Sequence, residues 1–298
     1  MNKLGVHAFV WEKGWSREES TRAIARSAAT GYDLIEVSAM DMNEIDPTHT
    51  RTELDKHGLG CTFSFGMGAE EDISSNDPDK MKRGEAKLER AVALARDLGA
   101  THIAGILYSA FQKYAVPPTA DGISHSVDIL RRVAEKAAAS NVIMGLEVVN
   151  RYETNVLNTA AQGVEMCKRI GAPNVKVHLD VYHMNIEESD ISQAIIETGD
   201  YLGYFHTGDS HRGYMGSGSI DLAGVFRALV KANYKGPITF ESFSSRVVGQ
   251  PLEGILGIWR NLWDDSEDLA AHALMYTKAQ LKAAQEAQNQ KARSRLPV

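Results

Sequence analysis

The stretch Val142-Ile143-Met144-Gly145-Leu146-Glu147-Val148-Val149 is apolar almost throughout, short, and interrupted near its end by one carboxylate. A run of this length, rich in β-branched residues and bounded by polar chain, reads as a buried strand. Seven further segments have the same character, at 4–11, 33–38, 60–66, 102–108, 175–182, 202–207 and 237–243. Their starts lie roughly 27 to 42 residues apart, the length of one strand, one helix and two loops.

Helical periodicity fills the intervals. Asp77-Pro78 supplies an N-cap and a first-turn proline, Leu88, Ala91, Val92, Ala95 and Leu98 form one stripe, and Gly99 closes it. Asp221 opens a second helix with Leu222, Val225, Phe226, Leu229 and Val230 on one face, stopped by Gly236-Pro237. Further helices are predicted near 17–30, 48–57, 121–139, 159–170 and 191–198, and the Ala-, Gln- and Lys-rich stretch from Leu269 to Arg293 predicts a last one that frays at Ser294.

Eight strands alternating with about eight helices, with no Pro/Gly/Ser-rich linker, predict an α/β chain folded as a single (β/α)8 TIM barrel over 1–298, with an additional C-terminal helix and frayed tail over 269–298. A doubly wound open sheet is the alternative; no G-x-G-x-x-G opens the first helix, where a dinucleotide-binding unit would place it. The longest loop, between Tyr108 and the helix near Asp121, contains Pro117-Pro118 and belongs either on the active-site face or at an oligomer contact.

Composition narrows the function class. The 298 residues are 43% hydrophobic and 24% charged, as in a soluble globular protein, and carry 32 Lys plus Arg against 39 Asp plus Glu. A net charge of −7 gives no basic face for nucleic acid. Cys61 and Cys167 are too far apart in sequence for a CxxC motif, which excludes a disulfide scaffold or zinc ribbon. No signal-peptide core and no run of 18 apolar residues is present, so the chain reads as cytoplasmic, with neither membrane nor nucleic acid as a partner.

In a barrel, strand ends on the C-terminal face share one pocket. Four polar residues stand late in otherwise apolar strands: Glu147, Asp180 in Val177-His178-Leu179-Asp180-Val181-Tyr182, His206 in Tyr204-Phe205-His206-Thr207, and Glu241 in Thr239-Phe240-Glu241-Ser242-Phe243. Alternation turns Leu146, Val148, Leu179, Val181, Ile238 and Phe240 toward the helices and the carboxylates toward the axis. Three converging carboxylates repel one another unless a cation holds them, so the four form a divalent metal site. One nitrogen and three hard oxygens suit Mn2+ best, with Mg2+ or Co2+ as alternatives.

Glu153, His183 and Arg212 follow strands by a few residues, on loops of the same face. Phe9, Trp11, Trp15, Phe65, Met67, Leu107 and Tyr108 are strand-end candidates for the apolar end of a ligand pocket, with Phe9, Trp15 and Tyr108 foremost. Gly216-Ser217-Gly218-Ser219 has the look of a phosphate cradle without a nearby lysine, and reads as a plain loop. Trp259 and Trp263 suit either an interface or the core.

The segments from Glu147 to Asn155, His178 to Asn185, His206 to Gly213 and Phe240 to Phe243 resemble the signature segments of the ketose 3-epimerases, the D-tagatose, D-allulose (psicose) and L-ribulose 3-epimerase group of xylose-isomerase-like barrels. The resemblance implies an isomerase with a Mn2+-type site in which Glu147 and Glu241 double as acid and base, inverting C3 of unphosphorylated ketoses through a cis-enediolate. It assigns Glu153, His183 and Arg212 to the O1 to O3 end of the sugar and suggests a homo-oligomer, dimer or tetramer. Asp209-Ser210-His211 departs from the Glu-Cys-Asn of several relatives. An aldose-ketose or hydroxypyruvate-type isomerase on the same metal site is the alternative.

Overall fold

The Ser16 hydroxyl accepts the main-chain N–H of Glu19, and the Glu19 carboxylate accepts that of Ser16, so helix α1 (Arg17–Thr30) begins on a reciprocal cap. It ends at Gly31, whose φ of 95° only glycine adopts cheaply. The computed structural model describes residues 2–39 and 41–293, and the fraying expected at Ser294 lies outside them.

Strands β1 (Leu4–His7), β2 (Leu34–Ser38), β3 (Gly60–Ser64), β4 (His102–Gly105), β5 (Ile143–Val148), β6 (Val175–Asp180), β7 (Leu202–Thr207) and β8 (Ile238–Phe240) pair in parallel in chain order. The sheet closes where Leu4, Gly5 and Val6 of β1 meet Ile238, Thr239 and Phe240 of β8. Helices α2 (Pro47–His57), α3 (Pro78–Leu98), α4 (Ala120–Ala139), α5 (Ala160–Ile170), α6 (Val181–Glu187), α7 (Ile191–Thr198) and α8 (Leu222–Lys231) follow, with short α9 (Ser245–Val248) and α10 (Leu252–Leu256) before α11 (Ser266–Arg293). The (β/α)8 barrel with its extra C-terminal helix is thus the architecture.

Helix packing shows which strand faces point outward. A Cβ on Gly163 of α5 would stand 3.0 Å from Val148 and 3.2 Å from Val177, so both valines lie under that helix. One on Gly145 would meet the Cβ atoms of His178, Ala104 and Tyr204, inside the barrel. Glu147, two residues on, shares that inward face.

Several strands stop earlier than their apolar runs. At β1 the chain turns into a 3-10 segment, Ala8–Val10, with the His7 ring accepting the Phe9 N–H. At β6 the Asp180 carboxylate accepts the N–H of Tyr182 and caps α6, a helix hidden inside an apolar segment. Apolar runs report burial, and burial continues past the ladder into the turns beneath the active-site face. Helix α11 begins three residues before Leu269 because Asp265 accepts the N–H of Glu267 and Asp268. No helix among the described residues is long and apolar enough to cross a membrane.

Candidate metal and sugar site

Glu147 near the end of β5, Asp180 ending β6 and His206 in β7 meet Glu241, one residue beyond β8, where the Glu241 N–H donates to Thr207 O at 3.0 Å. The ring Nδ1 of His206 lies 3.8 Å from Glu147 Oε1, 3.7 Å from Asp180 Oδ2 and 3.5 Å from Glu241 Oε1. Donors bound about 2.1 Å from one cation stand roughly 3.0–3.5 Å apart, so a small inward shift would complete the shell. Asp180 Oδ2 and His206 Nδ1 are buried with no hydrogen-bond partner. Such atoms are costly unless a ligand takes them, and hard oxygens with one imidazole fit a divalent cation of the Mn2+ or Mg2+ type.

Buried and this close together, the four groups shift one another's affinity for protons. Burial pushes the Glu147 carboxyl well above its ordinary value, and Glu241 and Asp180 add to the rise against the opposing pull of His206. Burial likewise raises Glu241 to about 8, although His206 and Arg212 pull it down. Burial opposes protonation of His206 but is outweighed by Glu36 and Glu241, so the imidazole is held well above its usual range.

Three candidates from the loops join the cluster. Asn150 donates its side-chain amide to both Glu153 Oε1 and His183 Nδ1 at 2.9 Å, turning His183 Nε2 toward Glu147, Glu153 and Asp180 at 3.8–3.9 Å. Arg212 is buried with φ of 58°, its guanidinium 3.9 Å over the Tyr182 ring and 4.8 Å over Phe243. One of its nitrogens lies 3.1 Å from Glu241 Oε2. Buried Asp209 shapes the loop by accepting the N–H groups of Ser210, Gly216 and Gly218. Two of the amides a phosphate would need are therefore taken, and 216–219 is a plain loop.

A cavity of about 320 Å³ opens beside the cluster, with Glu147, Glu153, His183, His206, Arg212 and Glu241 in its lining. Phe9, Phe65, Met67 and Phe111 supply an apolar wall. Trp15 and Tyr108, expected there, are core residues: the Trp15 indole N–H donates to Thr50 Oγ1 on α2, and the Tyr108 hydroxyl donates to Glu147 O. Trp11 and Leu107 are also buried away from the cavity. An aromatic ring at a strand end can turn under the strand as easily as over it, and sequence alone does not say which. The 109–120 loop lies on the active-site face, where Phe111 lines the cavity and the Gln112 N–H donates to Glu153 O. Trp263 is buried with its indole donating to Ser242 Oγ, while Trp259 is exposed.

Sequence reasoning passed over His7, Glu36 and His178, all buried at the cluster. Leu34-Ile35-Glu36-Val37 carried the signal, an acidic residue inside an apolar strand, as plainly as β5 did.

Residues 24–286 match the family described as xylose isomerase-like TIM barrel. The chain is 44% identical over 281 residues to a ketose 3-epimerase from Arthrobacter globiformis, covering 94% of this chain and 97% of the relative. It is 43% identical to an L-ribulose 3-epimerase from Methylomonas sp., with 93% and 96% covered. A D-allulose 3-epimerase structure from Methylomonas sp., solved with D-allulose, superposes with a TM-score of 0.91 at 42% identity over 94% of this chain and 97% of that one. With this fold, this cluster and these relatives, the chain belongs to the ketose 3-epimerases, isomerases of the xylose isomerase-like TIM-barrel family.

Proposed function

We propose that this chain is a metal-dependent 3-epimerase of unphosphorylated ketoses, working on pairs such as D-fructose/D-allulose, D-tagatose/D-sorbose and L-ribulose/L-xylulose, as one barrel unit over 1–298 within a homo-oligomer. The observation that carries it is the convergence of three buried or half-buried carboxylates on the unpartnered Nδ1 of His206, beside a cavity that also has an apolar lining.

Glu147, Asp180, His206 and Glu241 would hold the cation, Mn2+ in first place, with Mg2+ or Co2+ as alternatives. When bound it would supply Lewis-acid stabilisation of the charge that develops on O2, worth several kcal/mol. Glu147 and Glu241 each turn Oε1 toward His206 and keep Oε2 outside that contact. One removes the C3 proton of the ketose and the other returns a proton to the opposite face, each such transfer contributing roughly 10²–10⁴-fold. Arg212, beside Glu241 and His183, orients the O1 to O3 end together with Glu153. Phe9, Phe65, Met67 and Phe111 exclude water from C4 to C6 and discriminate weakly among sugars there. Unphosphorylated substrates fit because Lys87, at the cavity wall, is paired to Glu71 at 2.7 Å, and Asp209 occupies the Gly216 and Gly218 amides.

The test is product identification from L-ribulose, D-fructose, D-tagatose and D-allulose with the Mn2+-loaded protein in D2O. The expected products are C3 epimers carrying solvent deuterium at C3, with turnover lost in EDTA and restored by Mn2+. An aldose as the main product would establish the isomerase alternative instead.

A further inference from the structure

Glu36 is fully buried in β2, where a carboxylate is expensive unless something in the molecule uses it. Its Oε2 lies 2.8 Å from His206 Nε2 and 2.6 Å from the Tyr204 hydroxyl. An ionised carboxylate only accepts, so both neighbours donate to it. Tyr204 has a single hydroxyl proton, which goes to Glu36, so Thr62 and Thr239, at 2.7 and 2.6 Å, donate to the Tyr204 oxygen. The two threonines thereby hold the tyrosine, and the tyrosine holds the carboxylate. The imidazole of His206 is left with Nε2–H aimed at Glu36 and Nδ1 aimed at Glu147, Asp180 and Glu241.

We propose that Glu36 is a positioning residue for the cation site: it fixes His206 in the orientation and tautomer that present Nδ1 as a ligand. The inference rests on the metal reading given above. Carboxylates behind ligating histidines raise ligand basicity and restrict ring rotation, and losing one costs about 10–100-fold in metal affinity. Among the four donors Glu36 touches His206 directly; its Oε1 lies 3.6 Å from His7 Nε2, which stands 3.8 Å from Glu241 Oε1, a longer and indirect route to one carboxylate.

The experiment is calorimetric titration of MnCl2 into metal-stripped wild type, Glu36→Gln, His206→Ala and the double variant, with the metal-free thermal midpoint of each recorded. The expected result is a Kd raised about 10–100-fold by Glu36→Gln in the wild-type background and less than about threefold in the His206→Ala background. Glu36→Asp, which keeps the charge but withdraws it by one methylene, provides a second substitution should Gln prevent folding, and is expected to raise the Kd at least about fivefold. An unchanged Kd in the folded Glu36 variants, or equal losses in both backgrounds, overturns the proposal while leaving the cation site standing. A wild type that takes up no Mn2+ overturns both.

Discussion

The hydroxyl of Tyr108 donates to the main-chain carbonyl of Glu147 across 2.7 Å, tying the segment after β4 to the C-terminal end of β5. A ring expected to touch sugar instead braces the backbone that carries a candidate base. Tyr108→Phe removes the donor and leaves a buried carbonyl short of a partner, at a cost of about 1–2 kcal/mol. The thermal midpoint should fall by about 2–4 °C per kcal/mol, kcat by a few-fold, and KM should stay unchanged. A KM that rises in parallel with the loss of kcat would put the hydroxyl back in the sugar pocket.

Arg212→Lys tests a second residue beside the charged cluster. The guanidinium is sandwiched between Tyr182 and Phe243 while bonding Glu241, which needs a planar, delocalised cation. Lysine keeps the charge but not the stacking. Steady-state kinetics on L-ribulose and D-allulose should show kcat/KM down by about 10²-fold, the scale of a misplaced catalytic contact, with a near-native midpoint. Wild-type kinetics in this variant would remove Arg212 from the reaction.

The architecture was legible because strand spacing and helix caps are local: Asp77-Pro78 and Gly99 bound α3 as the sequence predicts. The carboxylates were legible for the same reason, each being a polar break in an apolar strand. Helix α6 was not, since Asp180 serves at once as candidate ligand and N-cap, and the apolar run crosses the boundary unmarked. Phe111 was missed because it sits in the 109–120 loop without periodicity, placed by contacts far away in sequence, its own N–H on Met67 O and that of Gln112 on Glu153 O. Trp15 and Tyr108 show the converse error: ring size was visible, and side-chain direction depended on Thr50 and Glu147, far away in sequence.

The two thiols offer a prediction on pH. Burial pushes both Cys61 and Cys167 up to about 12. An acid whose folded value is raised loses stabilising effect as pH rises past its unfolded value, so the folded state weakens from about pH 8.5 toward 12, by about 1.4 kcal/mol per unit per thiol. At pH 8 the native protein should give close to no reaction with a thiol reagent, and two equivalents after denaturation. Rapid native-state labelling of either residue would show that its burial is transient.

The two-base reading makes the sharpest demand on Glu147 and Glu241. They reach the cluster from β5 and from the residue after β8, on separate sides of the barrel mouth, so a bound ketose would present one face of C3 to each. Glu147→Gln and Glu241→Gln should each lower epimerisation by at least about 10³-fold, the loss of a proton transfer compounded by weaker metal binding because both are also candidate ligands. In D2O with Mn2+ held in excess, the surviving carboxylate still removes and returns a proton on its own face. Each variant should therefore wash deuterium slowly into C3 of one epimer without inversion, and the two variants should label opposite epimers. Mass spectrometry and NMR of recovered sugar read both results. Exchange into the same epimer by both variants would mean that one glutamate serves both faces, and the second would then be left with a metal-binding role alone.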